Sequence, residues 1–169
     1  KGKEALKIDW EMPAKLESTE QQFAEAQKLL DQKPQSVRRK DGDVEKGLSE
    51  ADKVVEAIYE IPFIPHAPLE PINFFAHLKD GKMELHGPIQ LPERARDDVS
   101  KALGISVDDI TVTMTRIGGG FGRRLKRDFV MDAAECARVT GLPVQTVWTR
   151  EDDMRAGNYR PAGLYRYRA

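Results

Sequence analysis

The sequence predicts a mixed α/β fold of the α+β kind. Segments of helical and of strand periodicity follow one another along the chain, and glycine and proline mark the breaks between them. A length of 169 residues, 40% hydrophobic and 33% charged, is enough to bury a core. A formal net charge of −1 favours neither nucleic acid nor an anionic membrane surface, and no nucleic-acid partner is expected. No apolar run approaches the ~20 residues that span a bilayer. The chain opens on "KGKEALKIDW" without a methionine and closes on "YRPAGLYRYRA", so it reads as a piece of a longer polypeptide.

The elements follow in order. "ALKIDW" (Ala5–Trp10) alternates as a strand does. Ser18 with Gln21 forms a capping-box pattern that opens a helix over Ser18–Gln32, with Phe23, Ala26, Leu29 and Leu30 as its buried face. Lys33–Asp43 is polar and turn-rich. "VEKGLSEA" gives a short helix, and Lys53–Phe63 a strand of branched and aromatic residues. "PHAPLEP" is too proline-broken for regular structure. "INFFAHL" and "KMELHG" flank Asp80-Gly81, a tight hairpin turn. Leu91–Leu103 is a helix with Pro92 in its first turn, a face of Ala95, Val99, Ala102 and Leu103, and Gly104 as its stop. Ile110–Ile117 alternates as a strand, Leu125–Val139 is helical, and Pro143–Thr149 is a last strand. A domain boundary is expected near residues 50–62.

One cysteine, Cys136, excludes a disulfide framework and any thiolate-ligated zinc or iron–sulfur site within the chain. It lies on a stripe of Leu125, Phe129, Ala133 and Cys136 and reads as a buried structural residue. His66, His77 and His86 are too scattered for a local metal motif, although a hairpin would bring His77 and His86 onto opposing strands. Glu70 sits between prolines in an apolar context, which predicts burial in an ion pair.

"RIGGGFGRRLKRDF" (Arg116–Phe129) carries the strongest chemical signal. It sits between a strand and a helix, where glycines let backbone approach a ligand because no Cβ intervenes. Arg123 and Arg124 are placed against the helix macrodipole unless negative charge lies nearby. The stretch lacks the Gly-Lys-Ser/Thr of a Walker loop and the spacing of a dinucleotide fingerprint. It therefore reads as a receptor for an anionic or electron-rich group. Gln90, closing "GPIQ" before a helix, offers an amide donor and acceptor.

Taken in order, "PHAPLEP", "GPIQLP", "RIGGGFGRR" and "PVQTVWTREDDM" resemble the molybdenum-binding large subunit of the xanthine dehydrogenase/aldehyde oxidase family. The Arg-Arg after Phe-Gly, with "HAPLEP" and "YRP", is most similar to its bacterial isoquinoline oxidoreductase branch. The resemblance implies a molybdopterin cofactor with molybdenum, in its cytosine dinucleotide form. It implies hydroxylation of an N-heterocycle or aldehyde with oxygen from water, and electron exit through a partner subunit carrying 2Fe-2S clusters. Residues 1–55 then correspond to the tail of a preceding hammerhead-like α/β domain, and residues 56–169 to the first part of the molybdopterin-binding domain. Gln90, Gly119, Gly120, Phe121, Gly122 and Arg123 become the cofactor-binding residues, with no direct metal ligand. Whether Arg123 and Arg124 face the cofactor's phosphates or a partner stays open.

Two departures matter. Leu125 stands where purine-oxidising members carry a substrate-contacting glutamate, which argues against purines. The glycine-glutamate context of the family's catalytic base is missing after Leu125, so the chain by itself is expected to be inactive, with no catalytic residue of its own. A non-catalytic phosphate- or nucleotide-binding module on the same scaffold is the competing reading. Periplasm and cytoplasm remain equally open.

Overall fold

The computed structural model describes residues 2–169. The chain divides into two compact units: the segment up to Ile61 together with Ala162–Ala169, and Pro62–Pro161.

In the first unit, Gly2–Ala5 (α1) is a single helical turn, Thr19–Leu30 (α2) a three-turn helix and Val44–Ser49 (α3) a short one. α2 starts where the sequence places it: Gln21 N donates to Ser18 Oγ at 3.2 Å and Ser18 N to Gln21 Oε1 at 3.0 Å. Phe23, Ala26 and Leu30 are half-buried, whereas Leu29 is exposed. The strand expected over Ala5–Trp10 does not form. No strand lies alongside to take its backbone hydrogen bonds among the described residues, and alternation alone cannot hold a lone strand. Glu56–Ile61 (β1) instead pairs antiparallel with the chain's final strand, Gly163–Arg168, with Tyr59 opposite Tyr165. That last strand was not anticipated from the sequence. Its Arg166 donates to Leu30 O at 3.4 Å and to Asp31 Oδ1 at 2.7 Å, a cation closing the C-terminus of α2.

The second unit is built on a four-stranded sheet. Ile64–Pro65 (β2) leads through the proline segment to Asn73–Lys79 (β3), which turns at Asp80-Gly81 into Lys82–Gly87 (β4). Both turn residues have positive φ (50° and 78°), as a two-residue hairpin turn of this hand requires. Pro92–Leu103 (α4) crosses over to Ile110–Met114 (β5), which runs parallel to β4. Asp128–Thr140 (α5) then leads to Val144–Val147 (β6), which pairs antiparallel with β3. The strand order is β5-β4-β3-β6. Arg150–Arg155 (α6) and Tyr159–Arg160 (β7, paired with β2) complete the unit, and Gly163–Arg168 is β8.

Both long helices cover one face of this sheet. Phe74 and Ala76 of β3, Met83 and Leu85 of β4, and Ile110 point into a core with Ala95 and Val99 of α4. α5 contributes Phe129, Val130, Ala133, Ala134 and Ala137. Burying each large side chain contributes about 1.5–3 kcal/mol, and the small alanines let α5 lie close on β3. Cys136 is exposed rather than buried. At 100° per residue, the step of four from Ala133 returns Ala137 to the core, and a step of three carries Cys136 off its edge. Ala102 of the expected α4 face is likewise exposed. α5 begins three residues later than the apolar pattern suggests, because Gly122 (φ 97°) opens a separate 3₁₀ turn over Arg123–Leu125. Asp128, not the arginines, therefore occupies the helix's first turn, where an acid suits the macrodipole.

The topology places the four conspicuous motifs at one edge of the sheet. β4 and β5 are parallel and end level, Gly87 opposite Met114, so Pro88–Gln90 and the glycine loop leave side by side. β3 is antiparallel to both its neighbours, so its start, after "HAPLEP", lies at this same edge. Asn73 opposite Val147 brings the end of β6 there too. The C-terminal ends of parallel strands are where open α/β sheets bind ligands.

Candidate functional site at the sheet edge

The glycine run is tied down by Glu70. Glu70 N donates to Gly118 O at 3.0 Å, and Gly118 N returns a bond to Glu70 Oε2 at 2.9 Å. Asn73 Nδ2 donates to Glu70 Oε1 at 3.0 Å. A Cβ at Gly118 would stand 2.5 Å from Glu70 Cβ, so only glycine permits this double contact. At Gly120 a Cβ would meet the Gln90 side chain, 2.9 Å from Oε1. The run is thus a chain of close approaches rather than a solvent turn. Between them, Phe121 holds a left-handed conformation (φ 51°) and stays 69% exposed, an unusual cost for an aromatic residue.

The two arginines turn inward. Arg124 is completely buried. Its Nε donates to Gly119 O at 2.9 Å and Nη1 to Pro88 O at 3.2 Å. Its Nη2 donates to Glu70 O and Oε2 at 2.9 and 3.1 Å. Burial pulls its pKa below the ordinary arginine value; the nearby Glu70 and Asp153 carboxylates oppose that shift. Arg123, 2% exposed, forms a two-pronged pair with Asp128 at 2.9 and 2.8 Å. Its guanidinium carbon lies 5.2 Å from the Trp148 ring centroid and 5.7 Å from that of Phe129. Carboxylates thus supply the negative charge these arginines need, and they come from within the fold. Arg150 adds a third pair, to buried Asp153 at 3.1 Å, and donates to Leu69 O at 2.8 Å.

Glu70 is half-buried and ion-paired, as its proline-flanked setting predicts. Asp128, Trp148 and Asp153 were not singled out from the sequence. The "TREDD" capping pattern at Thr149 was the only local signal for the last of these. His66 Nδ1 donates to Asn158 O at 3.0 Å, since a carbonyl can only accept. His77 and His86 do not share a site: His77 faces Glu84, whereas His86 faces Phe75 and bonds Glu84 Oε1 at 2.7 Å. Among the described residues no three metal-ligating side chains cluster.

Among the described residues two buried side-chain polar atoms have no hydrogen-bond partner, Arg123 Nε, on a guanidinium otherwise held by Asp128, and Gln90 Oε1, beside the glycine loop. An unsatisfied buried amide oxygen costs about 1–3 kcal/mol, so it calls for a partner that the chain does not supply.

Residues 29–169 match the sequence family described as the molybdopterin cofactor-binding domain. The chain belongs to this family. Among its relatives is isoquinoline 1-oxidoreductase subunit beta of Brevundimonas diminuta, 36% identical over 57% of this chain and 12% of that protein. Xanthine dehydrogenase/oxidase of Gallus gallus is 35% identical over 78% of this chain and 10% of its own. A membrane-bound aldehyde dehydrogenase [pyrroloquinoline-quinone] of Gluconacetobacter polyoxogenes is 29% identical over 98% and 22%. The fold is that of the aldehyde oxidoreductase from Desulfovibrio gigas: TM-score 0.62 at 23% identity, over 75% of this chain and 14% of that one. The chain thus spans about a fifth or less of the length of these proteins.

The edge of this molybdopterin-binding domain suits such a group on two counts. The Gln90 amide oxygen lacks a partner, and the neighbouring Gly119–Gly122 run offers backbone with a single side chain, Phe121, between a ligand and the loop.

Proposed function

We propose that the whole protein is a molybdopterin-dependent oxidoreductase that hydroxylates an N-heterocycle or an aldehyde, and that this chain supplies one wall of its cofactor site. The observation that carries the reading is the partnerless, buried Gln90 Oε1 beside Gly120. When bound, the cofactor would supply two-electron redox chemistry and the oxygen, drawn from water, that is delivered to substrate. The residues of this chain would do the holding. Gln90 would offer its amide oxygen, an acceptor, to an oxygen ligand that carries a proton, Gly119, Gly120 and Gly122 would admit the cofactor against their backbone, and Phe121 would cover it. Arg123 would support that wall from behind through Asp128, Phe129 and Trp148.

The competing phosphate-grip reading draws less support. Gly118 N already serves Glu70, and both loop guanidinia are buried in internal pairs, so neither loop arginine offers a phosphate an exposed charge. In this reading the base that activates the oxygen donor lies outside the chain, which on its own turns nothing over. Residues 1–55 form the tail of a preceding domain, and residues 56–169 open the cofactor-binding one. A cytosine dinucleotide form of the cofactor and a 2Fe-2S partner subunit complete the proposal.

The test is cofactor analysis of the full-length protein, co-expressed with its neighbouring subunits in a host that makes the molybdenum cofactor. Stoichiometric molybdenum with pterin supports the reading and justifies assays with heterocycles and aldehydes. A quinone without metal would transfer to this protein what the name of the Gluconacetobacter relative states, and would overturn the reading.

A further inference from the structure

We propose that Arg124 is a positioning residue whose guanidinium and backbone together set the Gln90 amide against the glycine loop. The inference rests on the cofactor reading above and assigns a role to a side chain that cannot itself touch a ligand, since it is completely buried.

Arg124 reaches every segment that meets at this sheet edge except the end of β6. Its fork ends on Gly119 O in the loop, on Pro88 O two residues before Gln90, and on Glu70 in the proline segment. Its own carbonyl accepts Gln90 N at 3.2 Å. The backbone that carries Gln90 is therefore held at two points, residues 88 and 90, by one residue. The loop opposite is held by that residue at Gly119, and indirectly at Gly118 through Glu70 Oε2. Across this gap the Gln90 amide and Gly120 are already too close for a methyl group. A shift of a few tenths of an ångström in either segment changes where the amide oxygen sits.

Lysine cannot replace this arrangement. A guanidinium presents planar, divergent donors to acceptors from three segments, whereas an ammonium presents three donors from a single point on a flexible stem. Arg124→Lys keeps the charge opposite Glu70 and gives up the geometry.

The experiment uses the full-length protein with its partner subunits and compares wild type, R124K, Gln90→Ala, the R124K/Q90A double variant and a control, Arg127→Lys. The control alters a pair with Asp98 on α4 and none of the bonds to Pro88, Gln90 or Gly119. The first readout is the rate of molybdenum loss on dialysis. Residues that orient metal-site groups from outside typically change retention about 10–100-fold. R124K is expected to lose molybdenum faster by that order, R127K to match wild type, and the double variant to lose it no faster than Q90A alone. A purely structural role predicts that the two effects multiply in the double variant, and that outcome, or R124K retaining metal like wild type, overturns the proposal.

The second readout is hydrogen exchange on cofactor-free protein. R124K should lose protection at the two hydrogen-bonded amides of these segments, Gln90 and Gly118, together, with the rest of the sheet unchanged. Unchanged protection at either segment overturns the proposal whether or not the wild type carries molybdenum. Absence of molybdenum and pterin from the wild type sinks the cofactor reading instead, and exchange alone then decides the role of Arg124. If R124K does not fold, Glu70→Gln probes the same brace from its acceptor side. It must then lower protection at the Gly118 amide, and protection like that of wild type overturns the proposal.

Discussion

Alanine at position 120 separates cofactor binding from folding more cleanly than any other substitution in the loop. Gly120 does not have a positive φ, so the backbone accepts alanine without strain. The added Cβ would lie 2.9 Å from Gln90 Oε1 and 3.1 Å from Cδ. Ordinary carbon contact begins at roughly 3.5 Å, so the amide must retreat by about half an ångström or swing to another rotamer. The yielding atoms are the tip of a flexible side chain. The folded state therefore loses little, and about 0.4–1 kcal/mol returns because alanine restricts the unfolded chain. Net stability should change by less than about 1 kcal/mol, a shift of at most roughly 4 °C in melting temperature. Cofactor content should fall sharply, because displacements of this size at a pre-organised site are costly. Thermal unfolding and molybdenum analysis of full-length G120A check both halves. A variant that melts normally and keeps full molybdenum refutes the assignment of Gln90 and Gly120 to the cofactor wall. A variant that melts far lower shows a structural turn instead.

Gly118→Ala should behave in the opposite way. Its Cβ would collide with Glu70 Cβ at 2.5 Å, close to the backbone and unable to yield, so a stability loss of about 1–3 kcal/mol is expected by thermal unfolding. Asp132→Asn tests the charge pattern of α5. Burial first, and then Asp128 one turn earlier, push the Asp132 carboxyl above the usual carboxylate range, with Arg123 opposing. The native state therefore binds the proton more tightly than the unfolded chain, and stability falls as pH rises through that range and stays lowered at neutral pH. D132N should gain a few tenths of a kcal/mol at pH 7, as removal of a like-charge pair one turn apart does, and the gain should vanish in acid. A pH-independent difference would contradict this.

The sequence made the local features legible. Ser18 with Gln21, Asp80-Gly81, and Pro92 with Gly104 each satisfy backbone groups within a few residues, and each appears as read. What it could not show was pairing at a distance. Ala5–Trp10 has the right alternation and no neighbour, whereas β8 finds β1 across the length of the chain. Cys136 shows how a single residue step on a helix decides burial. At the site, Gln90 and the glycines were visible because their chemistry lies in a short motif. The destination of Arg124 was not, because its acceptors at Pro88 and Glu70 lie 36 and 54 residues away and are mostly backbone carbonyls, which carry no sequence signature. Glu70 was recognisable as an ion-pair candidate, but its partner emerged only from the fold.

The central claim is that the Gln90 amide and the Gly119–Gly122 backbone form one wall of a molybdopterin site. A structure of the loaded full-length protein, at a resolution that defines side-chain amides, tests it most directly. The account predicts density for the cofactor against this backbone, with the Gln90 side chain within hydrogen-bonding distance of an oxygen ligand. Cofactor density elsewhere in the protein, with the Gln90 amide still partnerless beside Gly120, would contradict it.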